Sequence, residues 1–179
     1  LVDLESDPSA ALLLIAAAKG GQELTSVDPQ YVRSVFDAAA EHFDRELVDV
    51  LKYKTPQHLR NALDDILQDD TAFSRVLDLG CGTGLMAAAL QGRYEKIIGI
   101  DVSSKMVEKA QTKNLYDSLE VADISEALRR VQVPYDCIIA ADVLIYFGDL
   151  EVVFEQIRQN LVPNGFFAFS TEWVAGTNF

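Results

Sequence analysis

The chain has 179 residues, of which 49% are hydrophobic, and a formal net charge of −13. This length suits one domain with a sizeable core, and the negative charge argues against nucleic acid or an anionic membrane as the main partner. The longest apolar run, 10–18, is too short to cross a bilayer. The two cysteines belong to no C-x-x-C pair or His-rich cluster. No disulfide framework or metal site is therefore predicted, and the reducing cytoplasm is the expected compartment.

The first third of the chain is predicted to be helical. Asp7-Pro8 and Asp28-Pro29 each combine a capping acid with a first-turn proline, which predicts a helix after each pair. A further helical segment is predicted over 43–51, and Thr55-Pro56 begins another helix. We therefore divide the chain into a helical lead-in, 1–55, and a core, 56–179.

From Arg75 onward, short apolar runs alternate with helical patterns. A turn at Pro163-Asn164-Gly165 is expected to precede the last strand. The alternation predicts βαβ units, a mostly parallel sheet and an α/β fold of the Rossmann-like three-layer type. The predicted strands are 75–79, 96–101, one ending near 121–124, 135–142 and 166–170, and the predicted helices are 85–90, 104–113, 124–131 and 149–161.

Gly80, Gly82 and Gly84 lie between the first strand and its helix. Without Cβ atoms, the backbone there can turn tightly and lie against a flat ligand. The spacing differs from the nicotinamide fingerprint because its third glycine is replaced by Leu85, and no Gly-Lys-Ser/Thr of a P-loop follows. Asp101 ends the second strand 19 positions after Gly82. A carboxylate about 20 residues beyond such a turn is typical of a group that binds a ribose diol.

The pattern D-x-G-x-G-x-G from Asp78 to Gly84 resembles the first motif of class I S-adenosylmethionine (SAM) dependent methyltransferases. The segments 101–110, 121–124 and 135–148 are similar to the motifs that follow it in that family. The resemblance implies that Asp101 binds the ribose, that the next residue and a methionine cover the adenine, and that further acids meet the adenine amino group and border the methyl group. The cofactor-binding residues that it implies are Asp78, Gly80, Cys81, Gly82, Gly84, Asp101, Val102, Met106, Asp123, Ile124 and Asp142.

The lead-in resembles that of small-molecule methyltransferases, and most closely that of predicted methyltransferases joined to an upstream tetratricopeptide array. The resemblance implies a lid over the cofactor, with Tyr31, Phe36 and Phe43 as candidates for its inner face. The family sheet has seven strands, and the sequence predicts only the first five here. Since the chain also begins without Met, we expect a longer native protein, or a partner chain at 166–170.

The sequence thus predicts a SAM-dependent methyltransferase that acts on a small molecule or a protein and releases S-adenosylhomocysteine (SAH). Two alternatives remain open: a non-catalytic SAM-binding or scaffold domain of a larger protein, and an aminopropyltransferase on the same fold. His42 and Asp142 are candidates for a base. No catalytic residue is assigned.

Overall fold

The structure is a computed structural model that describes residues 28–67 and 72–171. The helix predicted after Asp7-Pro8 lies outside these residues. The described strands form one parallel sheet in the order β3-β2-β1-β4-β5, which confirms the predicted Rossmann-like α/β class. They are β1 (Val76–Leu79), β2 (Ile97–Asp101), β3 (Ser118–Val121), β4 (Tyr135–Ala140) and β5 (Leu161–Phe169).

The helices begin where the sequence offers caps. Asp28, Ser103, Asp123 and Asp149 each accept a hydrogen bond from a backbone N–H in the first turn of the helix that they precede. The segment predicted to be helical over 43–51 contains a π-helix, Arg45–Val50, and a short 3₁₀ turn spans Leu144–Tyr146. The α-helices are α1 (Pro29–Ala39), α2 (Thr55–Ile66), α3 (Leu85–Ala89), α4 (Ser104–Thr112), α5 (Ile124–Arg129) and α6 (Leu150–Gln159).

The central strands are buried on both faces, as their apolar runs predict. Leu77 and Leu79 of β1 belong to a cluster with residues of α5 and α6. Val76 points the other way, into a cluster with residues of α2 and α3. The three layers are therefore helices, sheet and helices. Because the strand order reverses between β1 and β4, their carboxyl ends border a crevice, which is where open α/β sheets bind ligands.

The turn predicted at Pro163-Asn164-Gly165 is wrong as a boundary, since these residues lie inside β5. Leu161 pairs with Tyr135 and Phe166 pairs with Cys137, so the intervening residues form an irregularity in the strand. Asn164 has a left-handed φ of +63° there. Asn tolerates this conformation better than most residues, and the strand resumes after it.

The strand β5 lies at one edge of the described sheet. Its Phe167 and Phe169 rings stack with centroids 4.7 Å apart, and both contact Phe154 of α6. Among the described helices, none has the length and apolar character needed to cross a membrane.

Candidate functional site

A cleft of about 1430 Å³ lies at the carboxyl ends of the strands, under the lead-in. We call the side near β2 and β3 the β3 half and the side near β4 and β5 the β4 half. Eight of the eleven predicted cofactor-binding residues line this cleft: Gly80, Cys81, Gly82, Asp101, Val102, Asp123, Ile124 and Asp142.

The glycine loop forms the floor of the cleft. Gly80 and Gly82 have left-handed φ angles of +65° and +52°, which L side chains adopt at a cost. A Cβ on Gly80 would come within 2.4 Å of Val143 Cγ2, so this glycine is needed for packing. A Cβ on Gly82 would meet only Phe43 Cε1, at 3.9 Å. The bare backbone of Gly82 therefore faces the cleft.

Asp101 is held against this loop by the backbone. Its Oδ2 accepts a hydrogen bond from Gly82 N at 2.8 Å, and its Oδ1 accepts one from Ser103 N at 2.8 Å. Burial raises the pKa of Asp101, an effect that these two N–H groups oppose and that the nearby charge of Asp37 adds to. A carboxylate has about four lone-pair sites. Asp101 thus keeps acceptor capacity for a ligand in the cleft.

Three predicted site residues lie behind the wall of the cleft instead of lining it. Asp78 is 1% exposed and accepts a hydrogen bond from the Tyr116 hydroxyl at 2.7 Å. Burial raises the pKa of Asp78 to about 7, although the Tyr116 hydroxyl opposes this rise. Met106 is fully buried because it lies on the inward face of α4, so its predicted place on the adenine face needs correction. Gly84 faces Tyr116 and serves as the N-cap of α3.

In the β4 half, a hydrogen-bond network surrounds Asp142. Ser170 Oγ donates to Asp142 Oδ1 at 2.5 Å and accepts from Asp142 N at 2.6 Å. Tyr53 also lines this half of the cleft. Burial first, and then the nearby charge of Asp142, raises the pKa of Tyr53. The Tyr53 hydroxyl is therefore neutral at physiological pH.

The backbone of Asp142 has a left-handed φ of +56°. Such a conformation is uncommon for a residue other than glycine, although Asp tolerates it better than most. The two bonds to Ser170 hold it in place. Sequence reasoning missed Ser170 as part of the site, and the signal was its position at the end of the last predicted strand.

Aromatic rings of the lead-in cover the cleft. Phe36 and Phe43 both line it, and their ring centroids are 6.1 Å apart in an edge-to-face arrangement. Phe36 makes a similar contact with Tyr146 at 5.8 Å. Tyr31, the third predicted lid residue, is 37% exposed and does not line the cleft.

A row of polar contacts, which we call the lid seam, joins the lead-in to β2, α4 and the glycine loop. Arg33 Nε donates to the Val102 carbonyl at 2.9 Å, and Ser103 Oγ donates to Asp37 at 2.5 Å. Further contacts are the ion pairs Glu41–Lys109 at 2.8 Å and Asp44–Lys113 at 2.7 Å, and a hydrogen bond from Thr83 to Asp44. The sequence signal that was missed is a helical spacing, which relates Asp37, Glu41 and Asp44 in the lead-in and also Lys109 and Lys113 at the end of α4.

The two histidines and the two cysteines contribute little to the site. His42 and His58 are exposed and lie outside the cleft. Cys81 and Cys137 are free and buried, and burial raises the pKa of both thiols. Within 28–67 and 72–171, no group of three or more His, Cys, Asp or Glu side chains is arranged to hold a metal ion.

Comparison with known proteins agrees with this geometry. Residues 51–175 match the family described as the methyltransferase domain, and the chain therefore belongs to that family. It is 32% identical over 136 residues to a malonyl-[acyl-carrier protein] O-methyltransferase of Acetivibrio thermocellus, covering 73% of this chain and 47% of that protein. It is 29% identical over 111 residues to human methyltransferase-like protein 27, covering 61% and 45%. The chain thus spans about half the length of the curated relatives that it matches.

Solved structures show the same fold. The complex of DhpI with SAH has a TM-score of 0.64 at 22% identity, covering 79% of this chain and 67% of that one. A SAM-dependent methyltransferase from Mesorhizobium loti is 31% identical with a TM-score of 0.50, covering 63% and 52%. SAM is the cofactor of this family, which agrees with the first motif and with the position of Asp101.

Proposed function

We propose that this chain binds SAM in the cleft and transfers its methyl group to a small-molecule or protein acceptor, with SAH as the product. The observation that carries the proposal is the position of Asp101 beside the bare backbone of Gly82. Its carboxylate is fixed by backbone N–H groups, lines the cleft and keeps acceptor capacity for a ligand. A ribose offers two neighbouring hydroxyl donors, which match that capacity.

The residues of the cleft fit the rest of this cofactor. Val102, Asp123 and Ile124 would hold the adenine in the β3 half, and the glycine loop would lie against the methionyl part. When bound, SAM supplies an activated methyl group on a sulfonium. The chain mainly has to orient the acceptor and exclude water. Phe43 of the lead-in lies over the glycine loop, Phe36 packs against Phe43, and the two rings would serve the second purpose.

Calorimetric titration with SAM and SAH tests the proposal. Asp101→Ala should weaken binding by about 1.5–3 kcal/mol, because it removes a charged acceptor of two hydrogen bonds. Asp65→Asn is the matched control, since Asp65 is an exposed acid on α2 outside the cleft. Equal affinity of the Asp101→Ala and parent proteins for SAM would remove Asp101 as the ribose acid. Absence of binding by the parent protein would overturn the proposed function.

The same titration separates the alternatives. Tight binding of SAM without methyl transfer to any acceptor in a cell extract would favour a scaffold domain. Preference for decarboxylated SAM would favour an aminopropyltransferase. A cytoplasmic location, an upstream tetratricopeptide array and a partner chain at β5 stay predictions, as does the division at residue 55. Sedimentation would show whether the chain associates with a partner through β5, and a comparison with a protein extended at either end would test the expected tetratricopeptide array.

A further inference from the structure

We propose that the acceptor is a small amine, which binds as an ammonium ion against Asp142 in the β4 half. This inference rests on the proposed methyl transfer and adds the chemical class of the acceptor. It also assigns Asp142 to the acceptor and not to the cofactor. Three features of the described residues support it: the distribution of charge along the cleft, the hydrogen bonds of Asp142 and the aromatic rings beside it.

Basic side chains are divided unequally between the two halves of the cleft. The basic side chains among its described lining residues are Arg33, Arg129 and Arg130. Arg33 is bonded to the Val102 carbonyl, and Arg130 pairs with Glu120 of β3 at 2.6 Å. Arg129 is the neighbour of Arg130 on α5. These side chains therefore belong to the β3 half.

Acids line both halves of the cleft, among them Asp101, Glu120, Asp123 and Glu126 in the β3 half, but in the described lining only the β3 half has basic side chains beside its acids. Asp142 and Asp149 both line it, and its described lining residues include no Lys, Arg or His. A carboxylate acceptor would meet like charge there, whereas an ammonium group would meet opposite charge. In the acidic field of a chain with a net charge of −13, cationic acceptors are also attracted at longer range.

A hydrogen bond orients the Asp142 carboxylate. Ser170 donates its hydroxyl hydrogen to Asp142 Oδ1. A carboxylate has about four lone-pair sites, so it retains capacity for N–H donors of a ligand. The contact between Asp142 N and Ser170 Oγ fixes its backbone as well.

Aromatic rings form the adjoining wall. Tyr146 and Phe36 line the cleft and meet edge to face at 5.8 Å. Rings attract cations over their faces and bury the hydrocarbon part of a ligand. A carboxylate beside aromatic rings is thus suited to an amine that carries an apolar or aryl group.

The chemistry balances with Asp142 as the proton acceptor. The bound ammonium gives one proton to the Asp142 carboxylate, which frees the nitrogen lone pair. That pair forms the new nitrogen–carbon bond, and the carbon–sulfur bond breaks with its electrons remaining on sulfur. The methylated amine and SAH leave, and Asp142 passes its proton to water. No oxidant, reductant or metal is required.

The proposal differs from what the names of the curated relatives would suggest. Those relatives are called malonyl-[acyl-carrier protein] O-methyltransferases, and a malonyl group presents a carboxylate. A direct test is therefore a comparison of amines with carboxylates of the same shape. Phenethylamine and 3-phenylpropionate share an aryl group and an ethylene spacer but differ in charge. Malonyl-pantetheine represents the relatives' acceptor.

The experiment titrates each compound into the SAH-loaded chain and measures transfer of a tritiated methyl group from SAM. The amine should bind at least about tenfold more tightly than the carboxylates, as expected for one charge-assisted contact. Asp142→Asn should remove that preference and leave SAH affinity within about twofold of the parent value. Asn tolerates the left-handed backbone at this position, so the variant should fold. Asp65→Asn again controls for the lost charge.

Each other outcome overturns the inference. If no amine binds more tightly than its matched carboxylate while SAH still binds, the amine class is wrong and the proposed function stands. If Asp142→Asn weakens SAH binding more than about tenfold, Asp142 belongs to the cofactor site. Failure of SAH itself to bind would overturn the proposed function first.

Discussion

The two halves of the cleft are built in different ways. In the β3 half, the polar contacts of Asp101 are made to backbone groups of Gly82 and Ser103, which are close to the ends of β1 and β2. In the β4 half, Asp142 is held by the side-chain hydroxyl of Ser170, which comes from a distant part of the chain. The first arrangement is rigid and suits an invariant cofactor. The second depends on individual side chains and suits an acceptor that differs between enzymes.

This difference decides what the sequence could reveal. The position of Asp101 follows from a strand, a glycine turn and a spacing of 19 residues, all of which are local patterns. The contact between Asp142 and Ser170 spans 28 positions, and it exists only because β4 and β5 pair. The same limit applies to Met106: its helical pattern allows either face, and only packing shows that it faces the core.

The fold was largely predictable for the same reason. Apolar strands, capping residues and βα alternation each act over a few residues, and together they specify a parallel sheet. The turn expected at 163–165 failed because Asn164 and Gly165 also permit an irregularity within a strand, which the pairing with β4 then imposes. The lid seam was missed because it requires knowing that the lead-in packs against α4.

The largest expected effect concerns the buried acid that supports the β3 half. The pKa of Asp78 rises from its ordinary value of 3.8 to about 7 in the folded chain. Folding therefore favours its protonated form, so this contribution to stability is complete below about pH 4 and is lost as the pH rises through about 7. The free energy of unfolding falls by about 4 kcal/mol over this range, since a pKa shift of one unit is worth about 1.4 kcal/mol.

Asp78→Asn should remove this dependence while keeping an acceptor for the Tyr116 hydroxyl. Urea unfolding of the ligand-free proteins between pH 4 and pH 8 measures it. The stability of the variant relative to the parent should increase with pH. If the free energies of unfolding of the two proteins change with pH in parallel, Asp78 is ionised in the folded chain over this range, and burial does not keep it neutral.

The second effect distinguishes loss of cofactor binding in the cleft from loss of stability. Gly82→Val places a branched side chain in the cleft, where only Phe43 lies within 4 Å of the new Cβ. SAM affinity should fall by at least about 100-fold, or about 3 kcal/mol, as measured by calorimetry on folded protein. Gly92→Val is the control because Gly92 also has a left-handed φ, +80°, but has nothing within 4 Å.

Both variants should lose about 1–2 kcal/mol of stability through backbone strain. The Gly92→Val protein should nevertheless bind SAM like the parent. Tight binding by folded Gly82→Val protein would show that the loop does not touch the cofactor.

The smallest effect concerns the lid seam. Asp44–Lys113 is a partly exposed ion pair, so Lys113→Gln should change stability by less than about 1 kcal/mol. It should instead lower the salt dependence of SAM dissociation, because added salt weakens the contact that holds the lead-in over the glycine loop. Stopped-flow measurement of dissociation between low and high salt tests this. Lys105→Gln is the control, because Lys105 is an exposed lysine on α4 that contacts the seam through its backbone N and not through its side chain. An unchanged salt slope in Lys113→Gln would show that the seam does not hold the lid.

Tyr53 of the lead-in lines the β4 half, while Arg33 of the same segment donates to the Val102 carbonyl in the β3 half. One segment thus borders both halves of the cleft. A movement of this segment that opens one half also disturbs its contacts beside the other, so we expect the residence times of ligands in the two halves to be linked.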